Sequence, residues 1–238
     1  MARIHLSALV GGVLLASSAA ATAQKPPEPN QPPSRASTYE MRHPNAAKFE
    51  REYNSKVLLS GENKELETYA FARSVAACVA KSAKGKAGKL IGGAMTSDAN
   101  YEGLTRALTV KQRDCVTQKA AVPIGLVSGA LAEELLRMEN PTLQDRSSPA
   151  QTAAAKAFYA ASGGVTMDSL GRCLAVHSPG LAYRVLRTGA GSTDETREMA
   201  GLFARTPECG VIAPPKDIPA FEQRSSVASG LYHWVHKA

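Results

Sequence analysis

Four cysteines, a run of lysines, two neighbouring histidines and a few carboxylates are the groups with which this chain could do chemistry. The cysteines are Cys78, Cys115, Cys173 and Cys209. No two of them lie two to four residues apart, the separation that structural zinc favours. An even count in an oxidising compartment is read as two disulfides. His233 and His236, in "HWVH", sit at i and i+3 and would share a helix face, enough to begin a metal site. No third ligand stands nearby, and histidine near a helix C-terminus also suits the macrodipole, so the pair reads as a terminal amphipathic helix. The expectation is no metal and no cofactor. Lys81, Lys84, Lys86 and Lys89, in "KSAKGKAGK", carry no acid among them and could hold an anionic lipid headgroup or polymer. Against this stands the commoner role of such runs, a solvated helix end running into a Gly-containing turn.

Catalytic constellations are absent from the pattern. Glu133 and Glu134 are adjacent, so on a helix they point about 100° apart and cannot flank one bond. "GLVSGA" lacks the first glycine of a nucleophile elbow and lies inside a helix. There is no P-loop, no GxGxxG after a strand and no HExxH. An envelope hydrolase would have to draw convergent groups from His177, Glu133, Glu134 and Asp168.

The elements that must position these groups are helical. "KELETYAFARSVAACVAKSAK" places Leu66, Tyr69, Val75, Cys78 and Val79 near helical spacing. "DANYEGLTRALTVKQRDC" follows a Ser97/Asp98 cap as one helix through Cys115. "GLVSGALAEELLRM" is a third helix, and "ENPTLQDRSSPAQ" (Glu139–Gln151) reads as linker. Beyond it, Asp168 caps "SLGRCLAVH", Pro179 opens "GLAYRVLRT", and "STDETREMAGLFAR" begins with the Ser, Thr and acids of a helix start. Strand patterns are poor, so the class expected is all-α.

At the N-terminus, Arg3, the eleven apolar and small residues Leu6–Ala16, and Ala21-Thr22-Ala23 make a signal peptide over residues 1–23. The stretch is too short to span a bilayer, which takes about 20 apolar residues. Residues 24–38 are Pro-rich and form a semi-rigid tether. Removing residues 1–23 leaves 27 basic against 21 acidic residues, a surplus of +6 that favours acidic partners. Aromatics at 5% argue against a nucleic-acid module built on stacking.

The chain repeats itself. Cys78 to Cys115 spans 37 residues and Cys173 to Cys209 spans 36. "SVAACVAKS" matches "SLGRCLAVH", with Ser82 opposite His177, and Pro123 with Ser128-Gly129 answers Pro219 with Ser229-Gly230. Self-similarity at a fixed interval marks a tandem duplication, here of a helical unit over 39–138 and again over 165–238, joined by 139–164. Of the three possible pairings, a duplication selects Cys78–Cys115 and Cys173–Cys209, one bridge per copy.

Two such units, with "SGALAEELL" (Ser128–Leu136), resemble a loose set of exported bacterial proteins built from short helices around a widely spaced Cys pair. The second copy departs, reading "SGLYHWV". The resemblance implies the helical fold and no activity. The function expected is therefore a periplasmic or secreted protein that binds or supports an anionic envelope component without catalysis, with an envelope hydrolase as the rival.

Overall fold

A computed structural model describes residues 49–50, 64–95, 97–116, 122–159 and 166–236. The signal peptide, the tether and the start of the first unit at Tyr39 lie outside the described residues. Apart from a two-residue parallel pairing of β1 (Phe49–Glu50) with β2 (Val122–Pro123), the described chain is helical and carries two disulfides. None of its helices is long and apolar enough to cross a membrane.

Four long helices carry the core: α1 (Lys64–Ser82), α3 (Ile124–Glu139), α6 (Met167–His177) and α9 (Ala220–Val235). Successive packing partners run α1–α3–α9–α6, so α3 and α9, one from each half of the sequence, are the inner pair. Each is 16 residues long and opens on an extended proline, Pro123 or Pro219. A proline there fixes φ and has no N–H to leave unbonded. Around the four lie α2 (Asp98–Arg106), α4 (Pro149–Ala154), α5 (Lys156–Tyr159), α7 (Pro179–Arg187) and α8 (Thr193–Ala204), with α7 packed on both α8 and α9. Leu131, Val127 and Tyr69 from the first half share one continuous apolar core with Leu174, Leu186, Phe203 and Leu231 from the second.

Small residues set the closest helix crossings. A Cβ added to Gly230 of α9 would stand 2.5 Å from the Gly171 backbone of α6, and one added to Gly129 of α3 would stand 2.4 Å from the Ser225 Cβ of α9. Counted from the two proline caps, Gly129 and Ser225 occupy the same position, and they touch. By the same count the Ser-Gly pairs of the two halves fall at different heights, which explains why Gly129 faces α9 while Gly230 faces α6.

Three local readings change. The helix after Ser97 does not run to Cys115: Thr109 donates its hydroxyl to the Thr105 carbonyl at 2.6 Å, and Ala107–Lys111 widens into a π turn followed by the 3-10 turn Arg113–Cys115. The cap of α6 is Thr166, exchanging hydrogen bonds with Ser169 in a capping box, so Asp168 lies in the first turn instead. The 139–164 linker contains helix, because Ser148 and Gln151 form a second capping box around Pro149 and start α4.

Candidate functional site

Glu133 and Arg224 were both absent from any convincing reactive pattern, and both are buried. Arg224 is fully enclosed and Glu133 is 1% exposed. The guanidinium grips the carboxylate in two parallel bonds, Nε to Oε2 at 2.7 Å and Nη2 to Oε1 at 2.9 Å. Nη1 donates to Glu195 at 2.9 Å and to the Val185 carbonyl, and Nη2 donates to the Leu186 and Thr188 carbonyls at the end of α7. Tyr69 of α1 donates its hydroxyl to Glu133 at 2.6 Å, and Arg137 adds an ion pair at 3.0 Å. Burial alone would raise the Glu133 pKa, but the hydrogen bonds and charge of Arg224, with Tyr69 and Arg73, hold it below the ordinary carboxylate range. Burial first, and then the Glu133 charge, push Tyr69 up. Every N–H of Arg224 is engaged, so the cluster locks α1, α3, α7, α8 and α9 together.

The remaining hydrolase candidates lie apart. Asp168 accepts from the Met95 N–H at 3.0 Å and from Arg172 Nε at 2.8 Å, at the N-terminal end of α6. His177 is at the other end of that helix, beside the Cys173–Cys209 disulfide, and burial lowers its pKa. Nine residues of helix separate the two by roughly 13 Å along the axis. Glu134 is half-buried at the edge of α3, away from the Glu133 cluster.

A cleft of about 390 Å³ collects a different set: Gly92, Gly93, Phe158, Arg172, His233 and His236. Four segments build it: the Gly92–Gly93 loop, α5, α6 and the C-terminal end of α9. Asp168 fixes two of its walls at once, holding Arg172 on one oxygen and the Gly92–Met95 segment on the other. Arg172 lies 4.9 Å above the Phe158 ring, and Phe158 packs against Trp234 at 6.0 Å between centroids. Burial, and next the Arg172 charge, lower the His233 pKa against a hydrogen bond to the Gly93 backbone, favouring the neutral imidazole. His236 meets Glu139 at 3.2 Å and stacks on Tyr232 at 4.0 Å. The two histidines thus share a cleft without a third ligating side chain among the described residues.

The lysine run precedes the Gly92–Gly93 wall of this cleft in the chain. Lys81 is in the last turn of α1, Lys84 turns the chain at φ 45°, Lys86 precedes the 3-10 turn Ala87–Leu90 and Lys89 lies within it. All four are exposed, and none forms an ion pair among the described residues. Gly88 at the centre of that turn lies against the Tyr232 hydroxyl, where an added Cβ would meet it at 2.2 Å. Tyr232 in turn stacks on His236, a wall of the cleft, and the chain reaches Gly92 three residues after Lys89. Sequence reading found the lysines and the histidines separately. Arg172 was missed, although its i, i+4 spacing from Asp168 was visible.

No protein family, no curated protein and no solved structure matches this chain.

Proposed function

We propose that this is an exported, non-enzymatic binding protein of the cell envelope that receives an anionic component where the lysine turn meets the Arg172 cleft. The observation that supports the reading is the contact path Gly88–Tyr232–His236, which links the turn carrying the exposed lysines to a cleft lined by a guanidinium and two imidazoles. The lysines supply long-range attraction and Arg172 supplies directed hydrogen bonds, the usual division between steering and recognition. Residues 1–23 direct export, 24–38 tether the folded part, and two duplicated units over 39–138 and 165–238 make up the rest. Matching disulfide intervals and two proline-opened helices of equal length support the duplication.

The test is co-sedimentation of the mature protein with envelope fragments. Retention should fall as salt rises from about 0.01 M to about 1 M, across which the Debye length shrinks from ~30 Å to ~3 Å. Replacing Lys81, Lys84, Lys86 and Lys89 together with Ala should abolish retention, and Arg172→Ala should weaken it by about tenfold, the loss of ~1.4 kcal/mol. Retention unchanged by either variant ends the proposal.

A further inference from the structure

The two disulfides differ in one neighbour. Four residues after Cys78, on the same face of α1, stands Ser82, whose hydroxyl lies 3.9 Å from the Cys115 sulfur. Four residues after Cys173, on the same face of α6, stands His177. Cys209 reaches them from the 3-10 turn Pro207–Cys209, and the two sulfurs and an imidazole nitrogen lie within 4.8 Å of one another. Donor atoms around a tetrahedral zinc-like ion, with bonds of about 2.3 Å to sulfur and about 2.0 Å to nitrogen, stand roughly 3.5 Å apart, so the cluster is within a small displacement of ligation. Cys173 and His177 are anchored on a buried helix, whereas half-buried Cys209 sits on a short surface turn followed by Gly210 at φ 77°.

We propose that the Cys173–Cys209 bridge is the closed form of a metal site, and that opening it lets both thiolates and His177 take one zinc-like divalent ion. A dithiol reductant opens it: thiol–disulfide exchange passes two electrons and two protons to the bridge, leaving Cys173 and Cys209 as thiols and the reductant as a disulfide. The ion then displaces the two thiol protons as it binds. Three protein ligands leave a fourth position for water or an exchangeable donor. The Cys78–Cys115 bridge, with serine in the equivalent place, has no third ligating side chain among the described residues and opens to an ordinary dithiol. Sequence spacing alone concealed the site, because the close pair is Cys-x3-His and the second sulfur arrives from 36 residues away. The proposal is independent of the anion cleft, which shares none of these residues.

The experiment is cobalt titration of the full mature chain after reduction with a phosphine, followed by mapping of alkylated cysteines. One Co²⁺ should bind with thiolate-to-cobalt charge-transfer absorption, and should protect Cys173 and Cys209 from alkylation while Cys78 and Cys115 react. His177→Ser, which copies the first bridge into the second, should weaken binding by about tenfold or more. Circular dichroism is followed in parallel. If reduction unfolds the chain, Co²⁺ should restore helicity to the wild type and not to His177→Ser. Absence of the charge-transfer band, equal protection of both pairs, an unaffected His177→Ser variant, or failure of metal to refold an unfolded reduced chain each overturns it.

Discussion

Single side chains decide how the centre of this protein is held. Glu133 and Arg224 are 91 residues apart in the chain and are the principal charge partners of a buried cluster. Removing one partner of such a pair leaves a desolvated charge, which costs about 3–5 kcal/mol. Glu133→Gln should lose about that much in urea unfolding at pH 7, and Glu133→Gln with Arg224→Met should lose less than the two single changes summed. The pH dependence has a definite sign. Because the folded pKa of Glu133 is depressed, its contribution is fully present above the unfolded carboxylate value of about 4.3 and disappears as pH falls through the folded value. The wild type should therefore lose more stability on acidification than Glu133→Gln, and equal slopes would contradict the assignment. Glu133 was legible as an acid but not as a core residue, since "AEELL" offers two carboxylates and only their phase against Leu126 and Ala130 tells them apart. Arg224 was legible in principle: Arg224, Val227 and Leu231 fall at i, i+3 and i+7, which puts the arginine on the apolar stripe of α9.

At the scale of elements, the helices themselves were read well and their ends less so. Apolar spacing located α1 and α3, and Pro179 and the Ser/Thr/acid start marked α7 and α8, because both kinds of signal are properties of the sequence alone. The π turn at Ala107–Lys111 and the two capping boxes depended on individual hydroxyls finding backbone partners, which periodicity does not register. Helix contacts yield a sharp contrast between glycines. Gly230→Ala would drive a methyl into the Gly171 backbone, and overpacking of this kind costs about 1–3 kcal/mol. Gly201→Ala, on the exposed side of α8 with open space around it, should instead stabilise by about 0.5–1 kcal/mol through helix propensity. Thermal unfolding of the two variants should shift in opposite directions, and shifts of the same sign would refute the crossing geometry.

For the whole molecule, the two sequence halves contribute to one core, with α3 and α9 packed between α1 and α6. Export, tether and tandem copies were read from residues 1–38 and from the cysteine intervals, whereas the joining of the halves was invisible because it depends on which faces meet. Each disulfide closes a loop of 37 or 36 residues and removes about 4 kcal/mol of unfolded-state freedom on the chain-entropy model. Serine replacement of either pair should therefore lower a single cooperative transition seen by calorimetry. Two separated transitions, one per half, would show that the shared core does not couple them.

The order of the inner helices along the chain has a consequence for assembly. Glu133 precedes Arg224 by 91 residues, so a chain ending between them carries a carboxylate on the apolar side of α3 without its chief counter-charge. A chain that ends before α9 therefore leaves Glu133 without the arginine that neutralises it, and the centre closes only once α9 is in place.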